Sequence, residues 1–387
     1  MTLPQALGLS YLAEQPRLDS LDALLAAPQG AWEASPAEAA THPWFPTFRA
    51  GATPAPPRLR QTRRPAIRLA VLQDALVLPG GLVIDQASGT LVADSINGMF
   101  EADPAFLHHM RPSLHYQGVE LDIAARRATA RKPWPAEGET LEAPVMHLTY
   151  RSDLNYTHFM LEVLPKLLYW RMLPAPRPRL LVSKHVQQHL APLLALYGVA
   201  PEALLAVPDP RQGKAWRVRR LYLGAPLLWT RPEPVRMLRS EAERTPLPPG
   251  APRRFYIARP GKKNWFRRLL NEGAVLAELT RLGFVPLVLE HYSLAQQASL
   301  FRQADCVAGV YGGGLFNAIH APPGARILSL TSPDYHRAIL DSLPPEEALR
   351  GVTVVGDSFS CRRDRNNSPF VLDLAALRAA CQALALG

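Results

Sequence analysis

The sequence predicts an α/β protein of two lobes, each built on a parallel sheet with helical crossovers. Three observations lead there. Short apolar runs alternate with segments of helical period, first over 152–224 and again over 254–330. A proline-rich stretch, "WTRPEPVRMLRSEAERTPLPPGAP" at 229–252, separates the two series. The chain has 387 residues, 48% of them hydrophobic, which is more than one domain usually needs.

The elements follow in order. Residues 1–65 are rich in Ala and Pro and end in "TPAPPRLRQTRRP", which predicts a loosely attached N-terminal segment. Strand-like runs at 67–72, 75–78, 82–84 and 90–93, broken by Pro79-Gly80-Gly81 and Ser88-Gly89, predict a small antiparallel entry. "NYTHFMLEVLPKLLYWRML" (155–173) then has helical spacing, followed by a strand at 179–183, a helix at 185–197 stopped by Gly198, and a strand at 219–224. With its β-rich entry this series makes a first α/β domain over 66–240.

The second series gives a Rossmann-like domain over 250–350. A strand at 254–258 leads to a helix over 271–282 ending at Gly283. A strand at 284–289 and a helix at 294–302, with Ser293 as its N-cap, precede a strand at 306–310. Residues 351–387 remain as a C-terminal extension with a terminal helix. In doubly wound sheets ligands sit beyond the carboxyl ends of the strands.

Charge and cysteines exclude several classes. Lys and Arg number 43 against 33 Asp and Glu, for a net charge of +10. The basic residues gather at 58–68, 217–220 and 253–268 without a run of five or six like charges, so no nucleic-acid partner is expected. Cys306, Cys361 and Cys381 have no CxxC spacing, which argues against a disulfide framework or zinc site. The N-terminus lacks the pattern of a signal peptide, and no apolar stretch reaches 18 residues. The expectation is a cytoplasmic protein whose basic surface could rest peripherally on the inner membrane.

Gly312-Gly313-Gly314 lies between a strand and the expected start of a helix, where unpaired amides and absent Cβ atoms suit a pyrophosphate. The pattern is neither GxxxxGK[ST] nor GxGxxG. "YIARPGKKNWFRRLLNE" places Arg259, Lys262, Lys263, Arg267 and Arg268 beyond a strand on the same edge, where two or three cations could pair with a diphosphate. Glu290, after the next strand, suits a ribose hydroxyl. In the first domain His158 and Glu162 share a helix face, continued by Lys166, near Asp153 and Asn155. Either His158 or Glu162 could take a proton from a hydroxyl. HExxH is missing, and no Asp-x-Asp follows an apolar strand, so metal-independent chemistry without a cofactor is expected.

Three segments resemble glycosyltransferase family 61. "NYTHFMLEVLPKL" looks like its N-x-x-H-[WF]-x-x-E-x-L-P signature. "ARPGKKNWFRRLLNE" matches its R…R-x-[IL]-x-N-E pattern at Arg259, Arg268, Leu270, Asn271 and Glu272. "SLAQQASLFRQADCVAGVYGGGLFNAIHAPPGARILSL" looks like its helix, strand, Gly-rich turn and P-P-G segment. The resemblance implies two Rossmann-like lobes of the GT-B type facing a central cleft. It also implies inverting transfer of a sugar from a nucleotide-diphosphate sugar, the co-substrate, to a glycan or lipid-linked glycan acceptor in bacterial polysaccharide or glycoconjugate synthesis. The C-terminal lobe would hold the donor through Arg259, Lys263, Arg268, Asn271, Glu290, Tyr311, Gly312, Gly313, Gly314 and Asn317. The N-terminal lobe would supply the acceptor side and the base. The family's turn usually reads G-x-H-G-A-G, and this chain has Tyr311 in the histidine's place. That departure keeps two alternatives open: a non-catalytic nucleotide- or glycan-binding member, and a scaffolding subunit of a polysaccharide assembly.

Overall fold

The computed structural model describes residues 4–43, 45–54, 59–96, 118–122, 124–149, 153–207, 214–227, 229–242, 244–259, 267–333, 340, 343–359 and 368–386. The protein is mixed α/β and divides into two compact units. One comprises Met1–Ala39 and Arg63–Leu228, the other Ala40–Thr62 and Trp229–Gly387.

The first unit is organised by two long strands, Ile67–Val77 and Lys214–Gly224, paired antiparallel from Leu69↔Gly224 to Val77↔Trp216. Beyond Lys214–Gly224 the sheet is parallel. Val145–His147 pairs with it, Arg179–Val182 pairs with Val145–His147, and Leu204–Ala206 closes the edge. These parallel strands are almost wholly buried, as apolar runs covered on both faces must be. Beyond Ile67–Val77 the sheet is mainly antiparallel, through Val83–Asp85 and Thr90–Val92.

The N-terminal segment is not loosely attached. Ala6–Ser10 pairs antiparallel with Arg127–Ala130 and parallel with Thr90–Val92, and Gly30–Ser35 pairs with Ile67–Val77. Leu7, Leu9, Leu12, Leu24 and Ala31 bury their side chains in doing so. Their contribution is spread over short elements between prolines, so no single window shows a strong period.

The segment expected as one regular helix is a succession of different turns. Asn155 caps it, its Oδ1 accepting the Thr157 amide at 2.9 Å. Tyr156–His158 is α-helical, Phe159–Val163 a π turn, Leu164–Lys166 a 3₁₀ turn and Leu167–Met172 α-helical again. Pro165 has no N–H to continue the regular ladder, and the chain widens before it and tightens around it. The wide turn buries Phe159, Met160, Glu162 and Val163 together.

The second unit holds a six-stranded, wholly parallel sheet. Its order is Val285–Leu287, Arg254–Ile257, Cys306–Val310, Arg326–Thr331, Arg350–Val355 and Thr47–Phe48. The chain leaves Arg254–Ile257 for one edge through the Glu272–Arg281 helix, then returns through Leu294–Arg302 to the other side of the first strand. The strand order therefore reverses between Arg254–Ile257 and Cys306–Val310. One face of the sheet presents Tyr256, Ala308, Val310, Leu328, Leu330 and Val352 to Val275, Leu279, Leu377 and Ala380 of covering helices. The terminal helix, Leu374–Ala383, is capped by Asp373 and covers this sheet, and Arg350–Val355 is one of its strands. Residues expected to lie in an extension thus complete the second core.

Phe45 is packed against this unit at Gly351, where an added Cβ would run into its ring. Gly351→Ala is expected to destabilise the protein by about 1–3 kcal/mol through overpacking, which a thermal melt reads as a midpoint lowered by several degrees. An unchanged midpoint would show that Phe45 yields without loss.

Candidate functional site

The reversal of strand order in the second unit opens a crevice at the carboxyl ends of Arg254–Ile257 and Cys306–Val310. Ile257 stands opposite Gly309, so the two chains leave the sheet side by side, one toward Arg259 and the other toward Gly312. A Cβ on Gly312 would lie 3.1 Å from Arg259 Nη2 and 3.4 Å from Arg267 Nη1. Both guanidinium groups therefore lie against this glycine backbone. Arg267 Nη1 also donates to the Tyr311 carbonyl at 3.2 Å, and Arg267 adopts the left-handed backbone region at φ 57°. Burial lowers the Arg259 pKa, and the Arg267 charge lowers it further, while Tyr256, Glu290 and Glu272 act in the opposite sense. Two like charges gathered at a partly dry strand end favour an anion.

The glycine turn differs from the expected helix start. Leu315–His320 is a six-residue 3₁₀ segment, and the Leu315, Phe316 and Asn317 amides bond back to the Gly312, Gly313 and Gly314 carbonyls at 2.9, 3.2 and 3.3 Å. The Gly312, Gly313 and Gly314 amides donate to no partner among the described residues. Gly314 is held from behind by Ile257 and Leu289. The turn thus offers its own amides rather than a helix terminus.

The other expected donor residues separate into distinct places. Arg268 is exposed, its carbonyl accepting the Phe370 amide at 2.9 Å in a backbone bridge. Leu269 is buried and Arg267 half-buried, while Arg268 and Leu270 are exposed. Asn271 binds the Leu372 backbone twice, Nδ2 donating to its carbonyl at 2.8 Å and Oδ1 accepting its amide at 3.1 Å. Asn317 is buried and donates to Gln297 Oε1 at 3.2 Å and the Gly314 carbonyl at 3.3 Å, so it holds the turn from beneath. Glu290 is exposed on the Leu289–His291 turn and acts on Arg259 through its charge. Lys262 and Lys263 lie outside the described residues.

Tyr311 is buried. Its ring meets Phe316 edge-on at 5.4 Å, and Phe316 in turn packs on Trp229 at 5.8 Å. The part of Tyr311 that serves the crevice is its carbonyl, which positions Arg267.

In the first unit His158 Nδ1 lies 2.8 Å from Glu162 Oε1, bridging the π turn as the four-residue spacing leads one to expect. Glu162 is 5% exposed, and its Oε2 has no hydrogen-bond partner among the described residues. Lys166 is buried beside it. Burial pushes the Lys166 pKa down to about 8 against the opposing charges of Asp94 and Glu162. His147 lies in the same interior, its Nε2 2.6 Å from the Gly81 carbonyl and 2.8 Å from Thr149 Oγ1. Burial and the Lys166 charge lower the His147 pKa to about 3. His147 is therefore neutral at ordinary pH, with the Nε2 proton donated to Gly81. Asp94 Oδ2 accepts the Leu12 amide at 2.9 Å. His147 and Asp94 belong to a distant strand and turn, and no sequence pattern links them to the 155–166 segment. His158 is half-buried, its ring bridged to Glu162 through Nδ1.

Among the described residues, no group of three or more His, Cys, Asp or Glu is placed to hold a metal ion, and no helix is long and apolar enough to cross a membrane.

No curated protein matches the chain. Residues 156–328 match the model of the family described as Glycosyltransferase 61. The matched stretch runs from the turn bearing His158 to the strand that follows the glycine turn, and over that segment the chain is similar to glycosyltransferase family 61.

Proposed function

We propose that the protein transfers a sugar from a nucleotide-diphosphate sugar to an acceptor hydroxyl with inversion, its two units acting as GT-B lobes. The observation that carries this reading is the pair Arg259 and Arg267 against Gly312 at the point where the strand order reverses. Such a point favours a nucleotide, and the two guanidinium groups with the glycine amides match a diphosphate in charge and donors. As the glycosidic bond to the donor breaks, negative charge grows on the leaving diphosphate, and these groups stabilise it without reorganising. His158 Nε2 takes the proton of the attacking hydroxyl, which approaches the anomeric carbon opposite the leaving group.

The same reading makes the chemistry metal-independent, since arginine supplies the positive charge. It assigns the acceptor to a glycan or lipid-linked glycan of bacterial polysaccharide or glycoconjugate synthesis, handled on the cytoplasmic side with the basic surface near the membrane. Treatment with EDTA is then expected to leave transfer unchanged, and loss of activity restored by manganese would overturn that part. Tyr311 favours a second reading, a non-catalytic nucleotide-binding member. Its buried ring replaces the family's histidine and cannot act as a cation.

A thermal-shift screen against UDP, GDP, CDP and their sugars, followed by assay of donor hydrolysis and transfer, separates the two. Stabilisation with turnover supports the enzyme, stabilisation without turnover the binding protein, and no stabilisation removes both. With the best nucleotide, Arg259→Ala and Arg267→Ala are each expected to weaken binding by about tenfold or more. Arg268→Ala is expected to change it by less than about twofold, because an exposed pair or charge contributes little. Equal losses for Arg267→Ala and Arg268→Ala in titration calorimetry would refute the assignment. His158→Ala is expected to lower kcat by about 10²–10⁴-fold with donor affinity retained, measured in steady-state transfer assays.

A further inference from the structure

The segment after the Arg179–Val182 strand takes no part in the chemistry above, yet it carries two histidines in a chelating arrangement. It reads "HVQQH" at 185–189, with His185 and His189 four residues apart. That is the spacing of HExxH without its glutamate, and in that pattern the two histidines hold the metal while the glutamate acts as base.

The local fold brings the pair together. Ser183 starts the segment, its Oγ accepting the Val186 amide at 3.2 Å and its carbonyl the Gln187 amide at 3.0 Å. Val186–Leu190 is a π turn, and Pro192, with no N–H to continue the ladder, follows in the first turn of Ala191–Leu196. Val186 and Leu190 are buried, and Gln187 Nε2 donates to the Leu204 carbonyl at 3.3 Å, so the turn is fixed to the sheet. His185 is left half-buried and His189 exposed.

The two rings lie with their centres 4.8 Å apart and their planes at 47°. Two imidazoles bound to one zinc ion at about 2.1 Å, each centre about 1 Å behind its ligating nitrogen, have centres about 5 Å apart at a tetrahedral angle. The observed separation fits a shared ion. Neither ring has a hydrogen bond or ion pair among the described residues, so their nitrogens are not committed elsewhere.

We propose that His185 and His189 form a bidentate site for a divalent transition-metal ion of the zinc class, its other positions filled by water or by an oxygen ligand from outside. Imidazole suits zinc, nickel and copper, whereas magnesium and calcium prefer oxygen ligands. With two protein ligands the ion stays exchangeable, unlike one in a closed structural site of four. The pair stands just beyond the carboxyl end of Arg179–Val182, and the neighbouring strand Val145–His147 leads on toward the segment bearing His158. Ligands gather along such an edge. The site does not depend on the transferase reading, and no step of transfer passes through the ion.

Calorimetric titration of the full-length protein with zinc at pH 7.5, in a buffer that does not bind metals, tests this. The wild type is expected to take up one zinc ion per chain that His185→Ala and His189→Ala each hold about tenfold or more weakly, since losing a ligand costs at least as much as losing the group behind it. His291→Ala, which removes an exposed histidine from the second unit, is expected to bind as the wild type does. Excess magnesium is expected to leave the uptake unchanged. In thermal melts zinc is expected to raise the midpoint of the wild type and of His291→Ala but not of the other two variants. His189 is exposed, so His189→Ala decides alone should His185→Ala lose stability. Uptake that is absent from the wild type, that persists within about twofold in either variant of the pair, or that falls equally in His291→Ala overturns the site, as does displacement of the zinc by magnesium.

Discussion

The closeness of Arg259 and Arg267 to the Gly312 backbone organises the crevice of the second unit. A Cβ at 312 would lie 3.1 Å from Arg259 Nη2 and 3.4 Å from Arg267 Nη1, so a side chain there would press on the guanidinium groups that gather at the turn. The sheet has to bring the two chains there together, and it does so through the reversal of strand order beside Arg254–Ile257. Neighbouring features serve the same end. The Tyr311 carbonyl fixes one nitrogen of Arg267, Asn317 and Gln297 brace Gly314, and Ile257 and Leu289 fill the space behind it. Holding two like charges together in partial burial is unfavourable by itself, as the lowered Arg259 pKa records. An anion between them relieves that repulsion, which is why the crevice reads as preorganised for one.

The first unit handles charge by a different balance. Its buried groups set the Lys166 charge against the opposing charges of Asp94 and Glu162, with His147 held without charge. Removing one partner from such a set costs more than the set contributes, because the remaining charge is left dry. The set therefore specifies an arrangement more than it adds stability. The π turn at Phe159–Val163 matters here, since it carries Glu162 inward while His158 stays half-exposed. A regular helix would give both residues the same face and a similar exposure. The proline that interrupts the ladder thus accompanies a turn in which one member of the pair is buried and the other half-exposed.

Much of this was legible in the sequence, and the rest has identifiable reasons for being hidden. The second series of strands and helices was readable because each element is long enough for its period to show, and the His158–Glu162 pair because it is a local contact. The path of residues 6–62 was not, because strand pairing is a long-range relation and hydrophobic period reports faces, not partners. Arg267 and Arg268 are adjacent basic residues, and only the folded backbone turns the first toward Gly312 and leaves the second exposed. Asn271 fits a family pattern, yet both polar ends of its side chain are committed to Leu372, a hundred residues away. His147 and Asp94 had no signal at all, since nothing local marks a buried polar residue whose partners lie on other elements.

Tyr311 stands where the family resemblance leads one to expect a histidine. Its phenol ring meets Phe316 edge-on, and Phe316 packs at a tilt on Trp229, so the burial of the ring stabilises the base of the turn. Its backbone still pairs with Leu330, which keeps the sheet register up to the first glycine, and its carbonyl still receives Arg267. The side chain serves the packing, and the positive charge at the turn is supplied by the two arginines facing Gly312.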